Sequence, residues 1–134
     1  MGDPRNNRPR SVLIVDSDAV LSRLMKHNLE DESTAVTQAG TGLDCMKVLS
    51  EKRIDLLLLD TALPDFNGWG ILSLLRLTAP LRGILIVMMT TDAPSTALIQ
   101  GLKPDDCIQK PFDMRDLVNR VGKLMSSAGG VRVG

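Results

Sequence analysis

Three strand-like apolar runs in this sequence end on polar residues that could do chemistry together. Asp16-Ser17-Asp18 follows the first, Asp60-Thr61 the second and Thr90-Thr91-Asp92 the third. A fourth, very short run, Cys107-Ile108-Gln109, leads straight into Lys110-Pro111-Phe112. Parallel strands would bring these ends to one edge of a sheet, where α/β proteins bind their ligands. Two or three carboxylates, a hydroxyl and an ammonium would then face one crevice with complementary charges. Each residue alone has a duller use: an acid after a strand caps or turns, Thr is common in strands, Lys is solvated. The coincidence of all of them at strand ends gives the set its weight.

The elements that would position this set follow from hydrophobic pattern. Val12 to Val15, Leu56 to Leu59 and Ile84 to Met89 are continuous apolar strings of strand length, the pattern of strands covered on both faces. Thr34 to Ala39 is more polar and suits an edge strand, and Cys107 to Gln109 supplies a fifth strand. Between them, Leu21, Leu24, Met25, Asn28 and Leu29 recur at helical spacing, with Asp18 placed to cap. Cys45, Met46, Val48 and Leu49 mark a second helix after the Gly40–Gly42 turn, and Ile71, Leu72, Leu74 and Leu75 a third. Ala97, Leu98 and Leu102 mark a short fourth, entered through Pro94. Leu117, Val118, Val121, Leu124 and Met125 form an amphipathic fifth. Five alternating strand–helix units predict a doubly wound parallel α/β sheet with right-handed crossovers.

Bulk properties set limits. The 134 residues suit one domain with a real core, and 43% hydrophobic content is ordinary for a globular chain. Sixteen Lys and Arg balance sixteen Asp and Glu, so no global basic field favours nucleic acid or an anionic membrane. Cys45 and Cys107 form no CxxC pair and read as reduced thiols, which suits the cytoplasm; the lone His27 rules out histidine clusters. The apolar runs are too short to span a bilayer, and residues 1–10 lack a signal-peptide core. Residues 1–10 read as a flexible lead-in, 11–125 as the domain, and 126–134 as a flexible tail or the start of a linker. Trp69 and the scattered methionines read as packing residues.

Against this background, residues 11–125 resemble the bacterial receiver domain of two-component response regulators, the module also found as the stand-alone chemotaxis regulator. The strand Val12-Leu-Ile-Val-Asp16, the loop Asp60-Thr-Ala-Leu-Pro64-Asp-Phe-Asn-Gly68, the strand Ile86-Val-Met-Met-Thr90-Thr91 and the motif Asp105-Asp106-Cys-Ile-Gln-Lys110-Pro111-Phe112 match in order. The resemblance implies a flavodoxin-like (βα)5 fold with strand order 2-1-3-4-5. It implies Asp60 as phosphoacceptor, Lys110 paired with the phosphoryl oxygens and Thr90 bonded to them after transfer. Mg²⁺ would be held by Asp16, Asp60 and the carbonyl of Ala62, and a cis bond is expected at Lys110–Pro111. The implied partners are a sensor histidine kinase or phosphotransfer protein and a downstream protein docking on Thr90–Gly101 and 105–125. No nucleic acid or membrane partner is expected of this domain alone, nor any enzyme activity beyond phosphoryl chemistry on itself.

Several positions depart from the pattern. Ser17 stands where most receivers carry a second acid for Mg²⁺, which predicts weaker metal binding; Asp18 could compensate or cap the first helix. Cys107 replaces the aromatic that couples to the switch threonine, and Thr91 is bulkier than the usual neighbour. Lys103-Pro104 replaces Gly-Ala, and the short interval from Thr90 to Cys107 predicts a truncated fourth helix. Two functions therefore compete: a phosphoaccepting receiver, and a degenerate receiver that binds its partner without phosphate. An aspartyl phosphatase would need a second acid two residues after its nucleophile, where Ala62 stands. A nucleotide-binding loop is absent.

Overall fold

The computed structural model describes residues 9–78 and 81–131. Strands β1 (Arg10–Val15), β2 (Thr34–Ala39), β3 (Leu56–Asp60), β4 (Leu85–Thr90) and β5 (Asp106–Gln109) alternate with helices α1 (Ala19–Leu29), α2 (Gly42–Glu51), α3 (Gly68–Leu77), α4 (Thr96–Leu102) and α5 (Met114–Val131). All strand pairs are parallel, in the order β2-β1-β3-β4-β5. This is the flavodoxin-like topology expected from the sequence.

Strand alternation divides the core between two faces. Leu13, Val15, Leu57, Leu59, Ile86 and Met88 point to one side, against Cys45 and Leu49 of α2 and Ile71, Leu72 and Leu75 of α3. Val12, Ile14, Leu56, Leu58, Val87 and Met89 point to the other, against Met25 and Leu29 of α1 and Leu117, Val121 and Met125 of α5. The sequential residues of β3 are all buried because each face has its own helices, so the strand reads as an unbroken apolar run. At about 1.5–3 kcal/mol for each large side chain, this burial is the main force holding the strand ends in line. Trp69 packs partly buried on the first of these faces, a structural role as expected.

Local chemistry sets where the helices begin. Asp18 accepts from the amides of Val20 and Leu21, Thr41 from Asp44, Asn67 from Trp69 and Ser95 from Leu98. Helix α4 is only seven residues long and has no buried residue, in line with the expected truncation. It ends on Lys103 in the left-handed conformation, φ 51°, the place where a glycine is ordinarily favoured.

Some boundaries differ from the sequence reading. Strand β4 starts at Leu85 and includes Thr90, one residue later than the apolar run, because Thr90 pairs with Gln109. Arg10, assigned to the lead-in, belongs to β1 and donates its N–H to the Ser33 carbonyl at 2.8 Å. Helix α5 continues to Val131, through residues placed in the tail: Ser126 and Ser127 lose the apolar periodicity but do not break a helix. Residues 1–8 and 132–134 of the two expected tails lie outside the described residues.

Candidate functional site

The carboxyl ends of β1, β3 and β4 deliver Asp16, Asp60 and Thr90, which are 2%, 6% and 5% exposed. Asp16 follows β1 directly, and its N–H donates to the Ala39 carbonyl at 3.0 Å. One carboxylate oxygen, Oδ1, accepts from the Asp18 amide at 2.9 Å. The other, Oδ2, accepts from Lys110 Nζ at 2.6 Å. Asp60 closes β3 in the same manner: Oδ1 accepts from the Ala62 amide at 3.1 Å, and Oδ2 lies 3.4 Å from Lys110 Nζ. One ammonium thus lies against two buried carboxylates brought from distant parts of the chain. Lys110 is fixed from behind, its N–H donating to the Thr90 carbonyl at 2.7 Å, and the Lys110–Pro111 bond is cis as expected.

Burial raises the Asp60 pKa, and the neighbouring Asp16 charge adds to it; the Ala62 amide and Lys110 pull the other way without cancelling the rise. For Lys110 burial acts to lower the value. The bond to Asp16 and the two carboxylate charges overcome it, so the ammonium is held above its ordinary range. The trio carries more negative than positive charge and so retains an attraction for a further cation.

Thr90 is at the same edge but is engaged elsewhere. Its hydroxyl donates to the Asp92 carbonyl at 2.7 Å and accepts from the Asp92 amide at 3.2 Å. The structure therefore unites Asp16, Asp60 and Lys110 and holds Thr90 beside them with its proton committed to the loop after β4.

The position of the Asp60 loop depends on a close approach. A Cβ on Gly68 would lie 2.2 Å from the Asp60 carbonyl oxygen, so only glycine fits there. The Gly68 N–H donates to the Thr61 carbonyl at 2.9 Å. Asp65, in the same loop, reaches across to α2, accepting from Gly42 N–H at 2.8 Å and Leu43 N–H at 2.9 Å. Sequence reasoning missed this clamp, since its partners lie in another element; an acid near a helix start in space leaves no local signature.

The donors available to a metal are oxygens, the type Mg²⁺ prefers: the Asp16 and Asp60 carboxylates and backbone carbonyls. They fit a hard dication in kind, but with a reduced charge. Ser17 is exposed, and Asp18 caps α1 through its Oδ1. Among the described residues no three His, Cys, Asp or Glu side chains cluster as a metal site.

Cys107 is half-buried against the face formed by α2 and α3, and its carbonyl accepts from Arg120 Nη1 at 3.1 Å. Burial, reinforced by Asp106, pushes its thiol pKa up despite Arg120. No aromatic ring occupies this position.

The family model of the response regulator receiver domain matches residues 12–122. The chain belongs to that family. Among curated proteins, this receiver is 36% identical over 112 residues to the DNA-binding response regulator MtrA of Mycolicibacterium paratuberculosis, covering 82% of this chain and 48% of MtrA. It is 31% identical over 121 residues to the transcriptional regulatory protein GltR of Pseudomonas aeruginosa, covering 89% and 50%. The chain spans about half the length of these relatives. Among solved structures, the CheY-like receiver domain protein of Methanospirillum hungatei aligns with a TM-score of 0.80 at 26% identity, covering 89% of this chain and 95% of that one. DrrB of Thermotoga maritima, an OmpR/PhoB homologue, shares the fold at a TM-score of 0.80 and 23% identity, covering 90% of this chain and 54% of DrrB. Receivers are signalling domains of two-component systems, and phosphorylation and Mg²⁺ at the acidic site are typical of them. No described helix of this receiver is long and apolar enough to cross a membrane.

Proposed function

We propose that this receiver accepts a phosphoryl group on Asp60 and changes its partner binding in response. The observation that carries the reading is the contact of Lys110 Nζ with both buried carboxylates, Asp16 at 2.6 Å and Asp60 at 3.4 Å. A buried acid beside a fixed ammonium is suited to in-line phosphoryl transfer, which needs positioning and charge neutralisation more than a strong nucleophile.

In the step, a carboxylate oxygen of Asp60 attacks phosphorus and forms an O–P bond. The donor bond breaks with its electron pair leaving on the donor: P–N in a phosphohistidine of a sensor kinase or phosphotransfer protein, P–O in a small acyl phosphate. Lys110 turns from the carboxylates to the new phosphoryl oxygens, and the Thr90 hydroxyl donates to one of them after transfer. Mg²⁺ held by Asp16, Asp60 and the Ala62 carbonyl would offset the charge of phosphoryl meeting carboxylate. The domain acts in the cytoplasm, signalling to a downstream protein through the Thr90–Gly101 and 105–125 face. The DNA binding named for MtrA belongs to that protein and is not ascribed to this domain.

Incubation with acetyl phosphate and Mg²⁺ should add one acid-stable, base-labile phosphoryl group by intact mass, absent in Asp60→Asn. The competing reading, a phosphorylation-independent interaction module, draws on exposed Ser17 and on Cys107. Absence of any mass gain on demonstrably folded protein would decide for it.

A further inference from the structure

We propose that Gln109 is a positioning residue that holds the Thr90 hydroxyl in its resting place, acting through the single peptide that joins Thr91 to Asp92. The inference rests on the phosphoacceptor reading above. The Thr90 hydroxyl accepts from the Asp92 N–H at 3.2 Å. That N–H and the Thr91 carbonyl are the two polar ends of one peptide unit, and the Thr91 carbonyl accepts from Gln109 Nε2 at 3.2 Å. A peptide unit is planar, and in the trans form its C=O and N–H point in opposite directions. Fixing the carbonyl therefore fixes the direction of the N–H. Gln109 at one end and Thr90 at the other clamp the same plate.

The backbone of the anchor is held by the sheet. Gln109 ends β5 as the register partner of Thr90, and the next residue, Lys110, donates its N–H to the Thr90 carbonyl at 2.7 Å. The residue next to the site lysine thus controls the loop after the strand that carries the site threonine. A hydroxyl has one proton, and that of Thr90 is given to the Asp92 carbonyl at 2.7 Å. Thr90 can donate to a phosphoryl oxygen on Asp60 only by releasing Asp92. A restraint made only in the resting state lowers the apparent affinity of any ligand that needs the released state, and its removal raises that affinity. In a chain with Cys107 where an aromatic would couple to the threonine, this clamp gives β5 a different hold on the Thr90 loop.

The probe is beryllofluoride, a phosphoryl mimic, titrated with Mg²⁺ and followed by backbone NMR. Gln109→Met keeps the side-chain length and removes the donor. Its apparent affinity for beryllofluoride should rise about two- to ten-fold, the range of one exposed hydrogen bond. Without beryllofluoride, the Asp92 amide of Gln109→Met should exchange faster with deuterium than that of wild type. In a Thr90→Ala background the same substitution should leave beryllofluoride affinity unchanged, because the restrained hydroxyl is gone. A merely structural role would persist there. Unchanged or weaker affinity in Gln109→Met overturns the proposal, as does an equal effect without the Thr90 hydroxyl. Failure of wild type to bind beryllofluoride is a separate outcome. It counts against the phosphoacceptor reading, and Asp92 exchange in Gln109→Met then decides the clamp alone, unchanged exchange overturning it. Gln109→Ala repeats each arm with a shorter side chain.

Discussion

At the scale of single residues, the balance of charge around Lys110 governs what the site can hold. Its ammonium satisfies one oxygen on each of two carboxylates, and the backbone amides of Asp18 and Ala62 satisfy the others. A third acid at position 17 would add the negative charge that a dication requires; the serine there adds none. Asp18 has a structural task of its own, since its Oδ1 caps α1. Mg²⁺ affinity should therefore increase in Ser17→Asp, measured by calorimetry or NMR titration, because each added carboxylate strengthens the pull on a hard cation. The same substitution should lower stability without metal, since crowded acids repel. Equal or weaker Mg²⁺ binding would mean that position 17 does not face the ion.

At the scale of elements, the loop after Asp60 and α2 form one unit through Asp65. Slight desolvation acts to raise the pKa of this carboxyl. The amides of Gly42, Leu43, Phe66 and Asp65 itself outweigh it, and the net pKa is lowered. A lowered folded-state pKa means that the ionised form favours folding. The contribution is complete above the ordinary carboxylate value, near about pH 4, and is lost as pH falls through the folded-state value. Asp65→Asn should therefore show less loss of stability than wild type between neutral pH and about pH 3, while starting from lower stability at neutral pH. Urea titrations of both proteins across that range would test it, and parallel pH profiles would refute it. Gly68 makes the same loop possible, because any side chain there would strike the Asp60 carbonyl. At the far end of α4, Lys103 takes a left-handed conformation to close the helix, and its carbonyl meets Arg76 Nη2 at 3.5 Å. That guanidinium also bonds Asp105 at 2.8 Å and the Ile84 carbonyl at 2.7 Å, tying α3, β4 and the entry to β5 together.

At the scale of the whole molecule, the sheet is an inner layer sealed by helices on both faces, and the two cysteines report on it at different depths. Cys45, on the face of α2 that packs in the core, is wholly buried, and burial, aided by the Asp65 charge, pushes its thiol to about 12. Only the thiolate reacts with alkylating agents, so Cys45 should be inert at neutral pH until the domain opens. Cys107 is half-buried near an edge and should label first. Iodoacetamide labelling followed by mass spectrometry should give one modification under native conditions and a second whose rate rises with added urea. Equal labelling of both sites without denaturant would show that the α2 face opens locally.

The sequence alone determined the fold class, because unbroken apolar runs of strand length alternating with helical periodicity can be buried only as a parallel sheet with helices on both sides. It determined that Asp16, Asp60, Thr90 and Lys110 belong to one edge, since each follows or ends a strand and parallel strands share an orientation. Helix caps such as Asp18 were legible for the same reason: the acceptor and its amides lie within three residues. Tertiary structure alone decided which groups touch. Lys110 and Asp16 are 94 residues apart in the chain, and no local pattern says that the ammonium lies closer to Asp16 than to Asp60. The engagement of Thr90 with Asp92, the reach of Asp65 to α2 and the bond from Gln109 to Thr91 likewise depend on side-chain directions set by packing. Periodicity fixes which face a residue occupies; only the assembled sheet fixes the few tenths of an ångström that decide a hydrogen bond.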